Sequence, residues 1–533
     1  MKKGFTLVEL LGVIVILGII SLIVVPPIIN QIRTIRTSVG DDTLKLIYAS
    51  TRRYMDDNRD QYPLIEDREY CITLRQLFNS GILPSPLLDP NTNEEISELK
   101  EVKIKINEID NIEYELLNQG KCGYIDPSGA SRPELVEGML PIMYDEEQDT
   151  WVKADLNSRW YDYSDKMWAN AALLTATSRG YYQNISPGEE VDDEDVLAYF
   201  VWIPRYRYRI LNSSFSAMAY EDVMFDVIFE GISTEKSLGN LENEWLTHPA
   251  FIFGEDELNG LWVGKYTTGF EGATTAAEGV VSSPELDSAI IKPNSIMWRG
   301  IELSKAFVVA RDFNEHGNIY GLNGDEAESR LLRNIDWGAV VYLSRSVYGS
   351  DEQIWSNRNN SFLTGCASDS ALGPANSDCN QYNSENGQKT STTGNVYGVY
   401  DMAGGAYEYV MAGVKTSGNE SLRISQSGFT SDEESASELS PNINNPSLEP
   451  LIDKYDFNDD IEDFSHSKLG DALGETFNWE DALMVAARGD HDNSWYVRGG
   501  LNSLDPGASI FSFTAVNGGA SSSRGFRIAI HNK

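Results

Sequence analysis

The sequence predicts an α+β protein: a long N-terminal helix, a small antiparallel sheet beside it, and then a large, loop-rich head. Three observations carry this. A predominantly apolar run from Phe5 to Val25 holds one carboxylate, Glu9. An amphipathic stripe continues beyond that run. None of the 11 tryptophans precedes Trp151, so the chain changes character from about residue 132. At 533 residues it exceeds one ordinary domain and implies two or three.

Phe5 to Val25 is 21 residues, long enough to span a bilayer as a helix. Lys2 and Lys3 hold the short leader on the cytoplasmic side, which places everything beyond Val25 outside. No small-residue cleavage site follows the apolar run, which argues against an ordinary secretory signal. A plain membrane anchor accounts for the apolar residues but not for Glu9, nor for Gly4 directly before the run. A charge inside a bilayer-length helix costs roughly 2.5–3.5 kcal/mol on insertion scales, so it calls for a partner. Pro26 and Pro27 should kink the helix, since each removes a hydrogen bond and crowds the preceding turn. Beyond them Ile28, Ile32, Ile35 and Val39 recur at helical spacing and, after a phase slip, Leu44, Ile47 and Tyr54 follow. This stripe, ending near residue 58, is one that a small sheet can cover.

The sheet is expected between residues 59 and 130. Tyr70-Cys-Ile-Thr-Leu74 reads as a strand or a lead into a helix. Val102-Lys-Ile-Lys-Ile106 and Ile112-Glu-Tyr-Glu-Leu116 alternate as strands do, and Asp89-Pro-Asn-Thr-Asn93 is turn chemistry. The net charge of −39 repels phosphate backbones and makes nucleic acid an unsuitable partner. Four cysteines allow three connectivities; proximity favours Cys71 with Cys122 and Cys366 with Cys379, as disulfides outside the membrane.

Within 132–533 glycine-rich turns alternate with short apolar strands. One helix is expected from Asn334 to Ser346, with Trp337, Val340, Val341 and Val347 on one face and Asn334 or Asp336 as its cap. Residues 416–475, with runs such as Ser431-Asp-Glu-Glu-Ser435, read as an acidic surface insertion. No repeat of fixed period is present.

The opening Met1-Lys-Lys-Gly-Phe-Thr-Leu-Val-Glu9 and its apolar run resemble the leader and N-terminal helix of a type IV pilin or pseudopilin precursor. The resemblance implies a leader of residues 1–4 cut after Gly4 by a prepilin peptidase, and methylation of the new N-terminus at Phe5. It further implies pairing of Glu9 with the terminal amine of a neighbouring subunit. Residues 5–58 would then form the membrane and filament-core helix, and 59–130 a small pilin-like domain. Other pilin subunits and the pilus or secretion assembly machinery are the implied partners. The chain would pass through the cytoplasmic membrane once and then join an extracellular filament or the cell surface.

Five pieces of the second half stand in a recognisable order: Val201-Trp-Ile-Pro204, Leu261-Trp-Val-Gly-Lys-Tyr266, the helix at Trp337, Gly398-Val-Tyr-Asp-Met-Ala-Gly-Gly-Ala-Tyr-Glu-Tyr409, and Val497-Arg-Gly-Gly500 with Gly525-Phe-Arg527. Together they resemble the formylglycine-generating-enzyme-like (sulfatase-modifying-factor-like) branch of the C-type lectin fold, which also contains variable ligand-binding proteins. The resemblance implies a tight, glycine-dependent turn at Arg498-Gly-Gly500 and core or near-core packing of Met402, Tyr407 and Tyr409. It also implies a terminal strand, Ile528-Ala-Ile530, that closes the sheet beside the head's own start. The oxidase members use a cysteine pair between the last two motifs, but Leu501–Arg524 contains none, so that chemistry is not expected here. A family calcium site is weakened too: Gly405 stands where the family has asparagine, although Glu408 remains.

No other constellation points to catalysis. The five histidines show no ligand spacing, and Gly264-Lys265 lies one residue too close to Gly260 for a phosphate loop. The expectation is a binding protein without cofactor or metal, not an enzyme. In the lectin-fold relatives the segment corresponding to 501–524 meets the ligand. Its polar residues Asn502, Ser503, Asp505, Ser509, Ser512 and Asn517 are the expected exposed contacts for an extracellular glycan or protein, with Ile510, Phe511 and Phe513 as strand residues. The function so read is a minor pilin-like subunit carrying an adhesin-like head. The alternatives are a pseudopilin of a secretion or DNA-uptake machine that engages cargo, and a membrane-anchored enzyme of unrecognised chemistry.

Overall fold

The structure, a computed structural model, describes residues 43–533 apart from 60–61, 63, 65–67, 90–94, 109–110, 119–121, 212–223, 233–243, 284, 351, 372–373, 458, 461–466, 478, 490–491 and 505–506. The chain divides into two compact units, Met1–Gly123 and Tyr124–Lys533. The boundary precedes the expected one near residue 131 because the intervening residues are already tied into the head. The Tyr124 N–H donates to the Leu156 carbonyl at 2.8 Å, and its ring meets Tyr161 edge-on at 5.2 Å. Ala130 joins the head's core.

In the small unit a helix covers 43–57, and its Ile47 and Met55 are fully buried. The earlier stripe residues Ile28, Ile32, Ile35 and Val39, and the prolines Pro26 and Pro27, lie outside the described residues. Strands Glu69–Thr73, Glu101–Glu108 and Asn111–Leu117 form an antiparallel sheet in that order. Strand alternation sorts its faces: Tyr70, Ile72, Val102, Ile104 and Ile106 turn into the core with Ile47 and Met55. On the other face Lys103 and Lys105 stand opposite Glu115 and Glu113, and Lys103 pairs with Glu69 at 2.9 Å. The two readings of Tyr70–Leu74 are both realised, since the strand runs directly into the helix Leu74–Asn79. Thr73 and Gln76 form a reciprocal capping box at that junction. Leu88 pairs with Glu95 across the expected turn, of which only Asp89 is described. Cys71 and Cys122 are bonded.

The large unit contains two principal sheets. The first has seven strands, in the order Ala327–Leu331, Ile528–Asn532, Gly260–Gly264, Val196–Pro204, Asn170–Leu174, Met139–Asp145, Thr150–Lys153. Val196–Pro204 is buried at all nine positions, which explains its continuous apolar run in place of alternation. The terminal strand does not lie beside the head's start: three strands separate it from Met139–Asp145. Its alternation shows that it belongs to a sheet but does not name its neighbours. The second sheet is built on Tyr407–Val414, which pairs in parallel with Asp453–Tyr455 and Arg524–Phe526 and antiparallel with Trp495–Arg498. The last of these pairs with Phe513–Val516.

Two further expectations need correction. The helix at Trp337 spans Asn334–Ser344 and is buried on every side, so it has no exposed face; Val347 lies beyond its end and is 57 % exposed. Its N-cap is Arg333, whose backbone N–H donates to the Asp336 carboxylate inside the helix at 2.9 Å. Residues 416–475 are not a surface insertion throughout. Phe429, Ile443, Leu448, Leu451 and Ile452 are buried, and Asp453–Tyr455 is a strand of the second sheet. Acidic composition masked these well-spaced apolar residues. Gly499 and Gly500 do take positive φ, +82° and +81°, as a tight turn requires. Met402 and Tyr409 are fully buried and Tyr407 is half-buried.

Candidate binding face and its buried framework

Gly4, Phe5 and Glu9 lie outside the described residues, as does Asp505. Of the other expected contacts Ser503 is exposed and Asn517 half-buried, whereas Asn502, Ser509 and Ser512 are buried. The three buried residues are therefore not surface contacts in this structure. Asn502 donates from Nδ2 to the Asn359 carbonyl at 2.9 Å, and its own N–H donates to the Gly405 carbonyl at 2.9 Å. Ser512 Oγ donates to the Gly507 carbonyl at 2.6 Å and accepts the Ser509 N–H at 3.0 Å. Ser509 Oγ donates to Glu480 at 3.0 Å. Short polar side chains here satisfy the backbone of a turn that passes over the core, a role serine and asparagine fill as readily as surface recognition. The turn is held from below, because Trp337 Nε1 donates to the Ile510 carbonyl at 2.8 Å and Phe511 packs on Trp479 at 5.4 Å.

Besides Ser503, the part of the segment that reaches solvent is its far end. Asn517 Nδ2 donates to Gln426 Oε1 at 2.9 Å, and Asn517 Oδ1 accepts the Gly519 N–H at 3.0 Å and Arg524 at 3.3 Å. Arg524 also donates to the Gly519 carbonyl at 3.0 Å and to the Tyr409 hydroxyl at 3.3 Å. Among the described residues Arg524 forms no ion pair, in a chain of net charge −39. Half-buried Tyr407 lies directly across the strand pair from it, and Ala520 and Ser522 are exposed beside it. Beneath, Arg299 donates to the Ser522 carbonyl at 2.6 Å. The sequence pointed to Asn517 but missed Gln426, Tyr407 and Arg524. A lone arginine within a Gly/Ser-rich stretch was the available signal for the last.

The motif residues behind this face form a buried framework. Arg527 makes a two-pronged contact with Glu408, Nε at 2.9 Å and Nη2 at 2.6 Å, and Thr267 Oγ1 donates to the same carboxylate at 2.6 Å. Both carboxylate oxygens are thus occupied. At Gly405, whose φ is +65°, an added Cβ would lie 2.6 Å from Met297 Cε. These residues do not fit a calcium site, since the charge of Glu408 is already met by a guanidinium, Gly405 supplies no side-chain oxygen, and its carbonyl accepts the Asn502 N–H.

Lys265 is fully buried and donates to Asn170 Oδ1 at 2.8 Å and to the carbonyls of Val396 and Gly398 at 2.6 and 3.0 Å, with Trp151 and Tyr400 faces at 4.9 and 5.5 Å. Burial holds its pKa well below the ordinary value. Asp401 accepts the Asn357 amide at 2.8 Å and the Gly365 N–H at 3.0 Å, yet burial pushes its pKa up to about 6. Asp471 is raised to about 7, first by burial and further by nearby Glu475. The one group of potential metal ligands among the described residues, Cys71, Glu101 and Cys122, has both sulfurs committed to a disulfide.

Residues 1–25 match the family model of the prokaryotic N-terminal methylation motif, which supports a type IV prepilin-like N-terminus. No curated protein matches the chain. Among the described residues no helix is long and apolar enough to cross a membrane, and Phe5–Val25 lies outside them.

Proposed function

We propose that this chain is a pilin-like subunit whose N-terminal helix docks into a filament and whose large unit is an extracellular binding head, not an enzyme. The observation that carries this reading is the methylation motif at residues 1–25 joined to a separate compact unit, Tyr124–Lys533. A folded body of about 400 residues is hard to seat at every position of a thin filament, so the subunit is minor and sits at or near the tip. The resemblance of the head to formylglycine-generating-enzyme-like proteins supports binding, because the cysteines of the oxidase members are missing from 501–524. The ligand contacts in this reading are Ser503, Gln426, Asn517 and Arg524 with the ring of Tyr407, an amphipathic set suited to a glycan or a protein loop.

The test is a screen of the full-length protein against glycans and matrix proteins, run beside a Gln426→Ala/Asn517→Ala variant. Binding that is lost in the variant, at unchanged melting temperature, supports the reading. Binding retained by the variant would move the site elsewhere on the head. Cargo that co-purifies with the protein, in cells lacking an extracellular filament, would favour a pseudopilin, which shares the same N-terminal motif.

A further inference from the structure

The first unit ends at Gly123, and Cys122 immediately precedes it. Cys122 is bonded to Cys71 across a sequence separation of 51, with the two Cα atoms 6.0 Å apart. The bond closes a covalent loop that contains the helix Leu74–Asn79 and the strands Glu101–Glu108 and Asn111–Leu117. A pull arriving along the chain from residues 43–57 has two routes to the head. One runs through every residue from 72 to 121 and loads the antiparallel ladders. The other leaves the backbone at Cys71, crosses two sulfur atoms, and re-enters it at Cys122.

We propose that the Cys71–Cys122 disulfide is a mechanical bypass that carries tension around the small sheet and hands it to the head. The covalent route is the shorter one and does not stretch, so it takes up load before any hydrogen bond inside the loop does. The entry point sits within the sheet, where Cys71 pairs with Lys103. The exit is fixed as well: the Cys122 N–H donates to Glu101 at 2.9 Å and its side chain is 2 % exposed. On the head's side the load arrives at Tyr124, whose N–H is bonded to the Leu156 carbonyl. Only the helix and the short segment before Cys71 remain in the path, so the ladder between Glu101–Glu108 and Asn111–Leu117 carries no direct load while the head is pulled. The biological use of the bypass rests on the pilin-like reading; the mechanics do not.

The experiment is force-clamp pulling of the full-length protein in detergent, with handles at the N-terminus and at Lys533, in the presence and absence of dithiothreitol. Opening the loop frees 51 residue spacings, about 170–180 Å of contour. Cys366–Cys379, with a separation of 13, gives a step of about 45 Å and is told apart by length. The expected result is that the long step appears only with the reductant, at a rate that rises with force, because a loaded disulfide is cleaved faster. A long step without reductant, or a cleavage rate independent of force, would overturn the proposal. A Cys71→Ser/Cys122→Ser chain should release the same length at a force below that which unfolds the head. Release only together with the head would show that the sheet needs no protection. Failure of the pilin-like reading shows separately, as a chain not cut after Gly4.

Discussion

The most informative single residues of the head are buried and charged. Arg527 satisfies Glu408 with two contacts and also donates to the Gly264 and Tyr400 carbonyls at 2.7 and 2.8 Å, so it ties both sheets to the Gly398–Tyr409 motif. Arg527→Ala leaves Glu408 charged and unpaired in the interior and should destabilise the head by on the order of 3–5 kcal/mol in chemical denaturation. Asp401 makes a pH prediction. Its folded pKa, about 6, lies above its ordinary 3.8, so its contribution is full below about 3.8 and is lost as pH rises through 6. His248 acts in the opposite sense: burial lowers it to about 3, so its contribution is present above 6.5 and is lost as pH falls through 3. The two slopes oppose each other between about pH 4 and 6. Asp401→Asn keeps an oxygen for Asn357 and Gly365 and tolerates the positive φ of 61°. Relative to the native head it should gain stability at pH 7.5 over pH 4 by up to about 3 kcal/mol, while Asp471, also raised by burial, keeps its own loss of stability as pH rises through about 7. Parallel melting curves of both proteins at the two pH values measure this.

At the scale of elements, legibility follows how local the cause is. The strands of the small sheet were readable because Val102–Ile106 and Ile112–Leu116 alternate and one face must be buried. The strand-to-helix junction at Thr73 was readable only as an ambiguity, since the capping box decides it through a side-chain contact to Gln76. The helix Asn334–Ser344 was visible but its surroundings were not: an apolar stripe says nothing about a second layer that covers the opposite face. The segment 501–524 shows the same limit. Ser512 and Asn517 are alike as sequence, and tertiary contacts make one a turn support and the other a surface group. Ser512→Ala should therefore cost about 1–3 kcal/mol of stability, by stranding the Ser509 N–H and the Gly507 carbonyl, while Asn517→Ala should be near neutral in the same denaturation measurement.

For the whole molecule, the N-terminal motif was fully legible because its chemistry is carried by a contiguous run, Gly4-Phe5 with Glu9, and the family match rests on the same residues. The joining of that run to a head of two sheets was legible only as a change of composition near residue 132, and the fold locates it at Gly123–Tyr124. Glu9 belongs to this scale, since the role proposed for it lies between subunits. Glu9→Ala should reduce the amount of the protein recovered in sheared filaments several-fold and leave the melting temperature of the head unchanged. Equal recovery would remove Glu9 from assembly.

The central claim is that the chain is processed and displayed as a pilin-like subunit, and the most direct test is intact-mass and N-terminal analysis of the protein recovered from the surface of the cells that make it. The account predicts a mature chain that begins at N-methylated Phe5, and an unprocessed chain when Gly4 is replaced by a bulky residue. A surface protein that retains Met1, or one cut beyond Val25, would contradict it.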